Sequence, residues 1–109
     1  MDKKLELTKP LHTLGGDDVT ELVFAFDNIK AIDYRNISKV EARLRGNQDT
    51  FSVTALMSKK TTNEFRIATA WIAALKGTKG LCVDDIDNLD IRDFLELEQI
   101  GLFFIENVE

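Results

Sequence analysis

The side chains able to do chemistry in this chain are few and scattered. Asp85, Asp87 and Glu96 fall at positions 1, 3 and 12 of a calcium-loop spacing, a pattern that works by aiming successive oxygens at one hard cation around a glycine turn. It fails at its middle, because Leu89 stands where an oxygen ligand is required and Asp90 where the glycine belongs. His12 is the only histidine and Cys82 the only cysteine, so no ligand pair can begin a zinc site and no intramolecular disulfide can form. His12, close to Pro10 in an expected loop, reads as a solvated side chain rather than a catalytic base. Cys82, with only Lys79 near it, reads as a buried inert thiol. The run Gly77-Thr78-Lys79-Gly80 follows a helical pattern and lacks phosphate-loop spacing, so it reads as a helix end. A catalytic protein would need a pocket gathering Asp85, Asp87, Asp90 and His12. The expectation is instead a non-catalytic protein with no metal and no cofactor.

If chemistry is absent, binding is left, and composition bounds the partner. The chain has 109 residues, 44% hydrophobic and 30% charged, which describes one globular domain able to bury about 65% of its unfolded surface. A net charge of -5 argues against nucleic acid, whose binding depends on clustered Lys and Arg. The charge is unevenly placed: residues 81–109 carry nine acids against Arg92 alone, while residues 1–80 carry ten acids and thirteen bases. Such polarity steers a basic partner, or a second copy, toward one end; a solvated acidic face is the plainer reading. No window approaches the roughly 20 apolar residues of a membrane span or a signal of export length. The expectation is a cytoplasmic protein with no membrane partner.

The elements that must position a binding surface follow from periodicity. Lys4–Lys9 alternates and ends at Pro10, which suits a short edge strand. After Gly15-Gly16-Asp17-Asp18, the alternating β-branched and aromatic run Val19–Phe26 predicts a second strand, giving an antiparallel hairpin over residues 1–27. Residues 28–109 form the helical part. Asp27-Asn28 is positioned to cap a helix over Ile32–Arg45 with Ile37, Val40 and Leu44 on its inner stripe and Gly46 at its end. Asp33 in its first turn is favoured by the helix dipole. Asn47–Lys60 is either irregular or a third short strand. Thr61 and Glu64 have capping-box spacing before a central helix carrying Phe65, Ile67, Ala68, Trp71, Ile72, Ala74 and Leu75. Val83, Ile86 and Leu89 predict one extra turn in the acidic connector. Asp90 then caps the last helix, with Asp93 at its third position. The fold class expected is α+β: an N-terminal hairpin and about three main helices in one domain.

The last helix carries the functional reading. Ile91, Phe94, Leu95, Leu102 and Ile105 cluster on one side, Leu97, Ile100, Phe104 and Val108 on a neighbouring side, and Phe103 lies on the polar remainder. The apolar arc spans roughly 220°, about twice the ~100° that covers a core. Leaving three such residues in water forfeits on the order of 1.5–3 kcal/mol each. Two arrangements answer this: a partner covers part of the arc, or the helix runs through the middle of the fold. On the first, the expected contact residues are Leu97, Ile100, Phe103, Phe104 and Val108, with Asp93, Glu96 and Glu98 selecting basic neighbours.

The order of motifs adds a resemblance. Leu5-Glu6-Leu7-Thr8-Lys9-Pro10, a Gly-containing turn, Val19-Thr20-Glu21-Leu22, then Phe24-Ala25-Phe26-Asp27-Asn28-Ile29 with Asp33 beyond, is similar to the opening of the phage tail assembly chaperone family. Phe65 to Ala74 resembles that family's alanine-rich central helix, and Val83–Phe94 its closing motif before a final apolar helix. The chain departs from it at Lys30, where the family often has threonine, and at Ala31, where it has glycine. The resemblance implies a helper in the bacterial host cytoplasm that binds the tape measure protein, keeps it soluble, recruits tail tube protein and is absent from the finished virion. The alternative is a structural tail or neck component that forms a homo-oligomer through the same helix and stays in the particle.

Overall fold

A computed structural model describes residues 3–45 and 62–107. The readings for Asn47–Lys60, Gly46 and Val108 therefore lie outside the described residues. The fold is α+β, an N-terminal antiparallel hairpin followed by helices. Strand β1 (Lys3–His12) pairs with β2 (Asp18–Phe24), and the helices are α1 (Asp33–Leu44), α2 (Asn63–Gly77) and α3 (Ile91–Glu106). Short 3-10 turns occupy Phe26–Asn28 and Val83–Asn88.

β1 is longer than its sequence pattern, and Pro10 lies within it. The register explains how: from Glu6 to Leu11 is five steps on β1, but the facing residues Glu21 and Val19 are only two apart on β2. Leu7 to Pro10 thus forms a bulge, where a missing N–H removes nothing from the ladder. Beyond the bulge, Leu11 is 1% exposed and faces the core. The second strand ends at Phe24 rather than Phe26, because Phe26 begins the 3-10 turn.

α2 is the central helix. Its residues Ile67 to Ala74 are all buried, polar Thr69 included, so it is surrounded rather than amphipathic. It packs against α1, α3 and β2. Trp71 is wholly enclosed and its indole N–H donates to the carbonyl of Val83 at 2.9 Å, which satisfies the polar handle such a ring needs when buried. The N-cap is Thr62, one residue later than the sequence spacing suggests; its hydroxyl accepts from the Phe65 N–H at 3.0 Å. α1 has no capping side chain at its N-cap, Ile32, and Asp27 and Asn28 sit upstream in the 3-10 turn. Asp33 supplies that role instead, accepting from the Lys30 N–H at 2.8 Å and pairing with Lys76 at 2.9 Å. These contacts, the Lys30 N–H first and then Lys76, hold its carboxyl below the usual value of 3.8.

Two glycines allow backbones to meet. A Cβ on Gly77 would lie 2.2 Å from the Val23 carbonyl oxygen, so the end of α2 can reach the outer edge of β2. There the Ala25 N–H donates to the Ala73 carbonyl at 3.1 Å and the Val23 N–H to the Thr78 hydroxyl at 2.9 Å. A Cβ on Gly101 would lie 1.9 Å from the Arg66 carbonyl oxygen, which sets the close approach of α3 to α2. Glycine to alanine inside a helix ordinarily stabilises by about 1 kcal/mol. Gly101→Ala is expected to do the reverse and cost about 1–3 kcal/mol through forced separation of the two helices, read by urea unfolding. Unchanged or increased stability would show that α2 and α3 do not touch at this point.

Candidate protein-binding surface

α3 starts at Asp90, whose carboxylate accepts from the Arg92 N–H at 2.9 Å. The Arg92 guanidinium, bonded to the same carboxylate, and then that N–H hold the Asp90 carboxyl down to about 2. One turn on, Asp93 is only 3% exposed. It does not simply face the helix dipole: its oxygens accept the Thr8 N–H at 2.9 and 3.1 Å and the Thr8 hydroxyl at 2.9 Å. The bulge in β1 supplies this donor, because it takes Thr8 out of register with β2.

With Asp93 turned inward, the residues on its side of the helix follow. Leu97 is 0% and Ile100 2% exposed, and both belong to the core. They are not contact residues in this fold, which corrects that expectation. Phe104 is half-buried and stacks on Phe26, ring centroids 4.3 Å apart, so it serves mainly to close the hairpin end of the core. Asp93 is spent on Thr8. Glu98 is half-buried and pairs with Arg66 at 3.3 Å. Of the residues expected to meet a partner, Phe103 and Glu96 remain exposed, and Val108 lies outside the described residues.

The exposed apolar face is the other side of the same helix. Ile91 is 63%, Leu95 55% and Phe103 58% exposed, with Leu102 half-buried among them. Ile91, Leu95, Gln99 and Phe103 recur every fourth residue and form one continuous ridge. Lys3 lies over the Phe103 ring, its nitrogen 4.8 Å from the centroid. Beside the ridge a shallow hollow of about 250 Å³ is bounded by Lys3, Gln99, Leu102, Phe103 and Glu106. Sequence reasoning found both apolar clusters but assigned the wrong one to the surface. The signal that separates them is Gly101, which lies on the Leu97 side, where only a residue without a side chain admits a neighbouring backbone.

The acids weighed for chemistry are each engaged separately. Asp85 is fully buried and accepts the N–H groups of Leu14 at 2.8 Å and Cys82 at 2.7 Å. Asp84 and Asp87 both bond the Arg43 guanidinium, Asp90 pairs with Arg92 and Lys9, and His12 pairs with Asp18 at 2.5 Å. Among the described residues no three His, Cys, Asp or Glu side chains could hold a metal ion together. Cys82 is exposed rather than buried, because the turn it opens directs Asp85 and Ile86 inward instead. No helix is long and apolar enough to cross a membrane among the described residues.

No protein-family model, no curated protein and no solved structure matches the chain.

Removing the Asp93 carboxylate takes away the acceptor of the Thr8 N–H and hydroxyl, and hydrogen bonds to a charged group contribute about 1.5–3 kcal/mol. Asp93→Ala is therefore expected to lose about that much stability in urea unfolding, while Glu96→Ala, three residues along the same helix, loses less than about 0.5 kcal/mol. Equal effects of the two changes would contradict the assigned burial of Asp93.

Proposed function

We propose that this protein is a non-catalytic assembly chaperone of the phage tail type, binding the tape measure protein and helping to recruit tail tube subunits through the outer face of α3. The observation that carries a partner-binding reading is the ridge of Ile91, Leu95 and Phe103 left in water on a regular sixteen-residue helix. The choice of partner comes from the resemblance of the hairpin, the central helix and the closing motif to that family.

The energetics suit a temporary hold. Three large apolar side chains contribute about 1.5–3 kcal/mol each when buried, and lost rigid-body and rotamer freedom offsets much of that gain. An apolar helical segment of a long client would be covered but not held permanently. Tube subunits that bury more of the client would then displace the chaperone.

The test is co-expression with a candidate tape measure protein. The wild-type chain is expected to keep the client soluble. Leu95→Asp and Phe103→Asp place a charge on the exposed ridge without disturbing the core, and each should return the client to the insoluble fraction. A client that is insoluble beside the wild type, or equally soluble beside both variants, would remove this reading.

A further inference from the structure

The two edges of the hairpin are not alike. Among the described residues β1 and β2 are the only strands. The outer edge of β2 is closed by α2 and the residue after it: the Val23 N–H donates to the Thr78 hydroxyl at 2.9 Å, that hydroxyl donates to the Val23 carbonyl at 3.3 Å, and the Ala25 N–H donates to the Ala73 carbonyl at 3.1 Å. These bonds also fix the phase of the ladder. Val23 turns both of its backbone groups away from β1, so Lys4, which faces it, turns both of its own away from β2; two residues on, Glu6 opposite Glu21 does the same. The next outward amide, that of Thr8, is taken by Asp93. Nothing among the described residues meets the outward N–H and C=O groups of Lys4 and Glu6. Lys4 and Glu6 are exposed, while Leu5 and Leu7 are half-buried against the core, so the helices lie on the leucine face of the sheet.

We propose that this open edge of β1 pairs with the same edge of a second copy of the chain, antiparallel, about a two-fold axis at Leu5. Lys4 of each copy exchanges two backbone hydrogen bonds with Glu6 of the other, Leu5 faces Leu5, and two hairpins become one four-stranded antiparallel sheet. Outward backbone groups at this spacing are complemented by an extended chain, and a hairpin, marginal as two strands, gains from being widened. The side chains fix the register. About Leu5, each Lys4 lies opposite a Glu6. Sliding the copies by two residues opposes Lys4 to Lys4 in one direction and Glu6 to Glu6 in the other, and like charges directly opposite are unfavourable. The second of these slides also calls on the Thr8 amide, which Asp93 already holds. A slide of one residue would turn the partner's Leu5 to the charged face.

The need for a cation at this edge comes from Glu6. It faces Glu21 directly across the hairpin and pairs with no cation among the described residues. Lys4 reaches Glu21 diagonally, its nitrogen 3.9 Å from the carboxylate and beyond hydrogen-bond distance, so it is shared rather than free. In the joined sheet each Lys4 lies between Glu21 of its own hairpin and Glu6 of the other. A strand added here must offer a cation opposite Glu6, an apolar residue one step on, and a residue suited to Lys4 one step further. Lys4-Leu5-Glu6 run in reverse meets all three requirements, and it is present wherever the edge is. Backbone bonds at two residues and one leucine pair bury far less than the roughly 1,200 Å² of a stable interface. The dimer is accordingly weak and reversible. It goes beyond the client reading and stands if that reading falls.

The experiment is sedimentation equilibrium of the full chain without any client, joined to residue-level amide exchange at the two ends of the concentration range. The wild type is expected to pass from monomer to dimer between about 10 µM and about 1 mM, with the Lys4 and Glu6 amides exchanging about three- to tenfold more slowly at the higher concentration. Lys4→Glu alone and Glu6→Lys alone should each raise the dimer Kd about tenfold, because two attractions become two repulsions. An equimolar mixture of the two variant chains should associate with a Kd within about threefold of the wild type, since each unlike pair of charges is then remade between copies. That rescue cannot arise within one chain. A monomer throughout the range overturns the proposal, as does a dimer whose Lys4 and Glu6 amides exchange equally at both concentrations. Association that the single variants leave unchanged, or that the mixture fails to restore, overturns it too. So does a chain that stays monomeric and protects these amides only in complex with a candidate tape measure protein, which would assign the edge to a client.

Discussion

The contact between the Asp93 carboxylate and Thr8 joins the first strand to the last helix across 85 residues of sequence. Each partner serves the other. A carboxylate that is 3% exposed is satisfied by the donors it accepts from, and an N–H displaced from its ladder by a bulge gains an acceptor in place of a strand partner. Asp93 is fixed near the start of α3, so satisfying it also fixes the rotation of the helix. Leu97 and Ile100 then turn into the core against α2, and Ile91, Leu95 and Phe103 turn to water. A polar contact thus decides which half of a broadly apolar helix becomes core.

The same device recurs with two other buried acids. Asp85 ties the hairpin turn, through the Leu14 N–H, to the start of the 3-10 segment at Cys82. Asp33 ties the entry of α1 to Lys30 and to Lys76 of α2. A small domain with one modest core gains orientation from such contacts more than net stability, since each offsets its own desolvation. The acidic count near the chain end therefore overstates the outward field: Asp85 and Asp93 point inward, and Asp84 and Asp87 share Arg43.

The architecture was legible because its signals are local. Alternation in Val19–Phe24, the apolar surround of Trp71 and the Asp90 cap each follow from a few neighbouring residues, and all appear in the structure. The candidate surface was only half legible. A wheel shows that α3 has more apolar arc than a core needs, but not its rotation, which depends on Thr8 and on the Arg66 carbonyl that meets Gly101. Both lie far away in sequence. The reach of β1 through Pro10 was hidden for a similar reason, because a bulge removes the pairing that proline would break. Cys82 was misplaced because apolar neighbours suggest burial, whereas the turn puts Asp85 inside in its stead.

If the Asp93 contact orients α3, the Thr8 amide must be held in its hydrogen bond although it has no strand partner. Native-state hydrogen exchange measured residue by residue tests this directly. Protection of Thr8 comparable to that of the Trp71 amide in α2 is the predicted result. Exchange of Thr8 as fast as that of Gly15 and Gly16 in the hairpin turn would contradict it, and with it the assignment of the outer face.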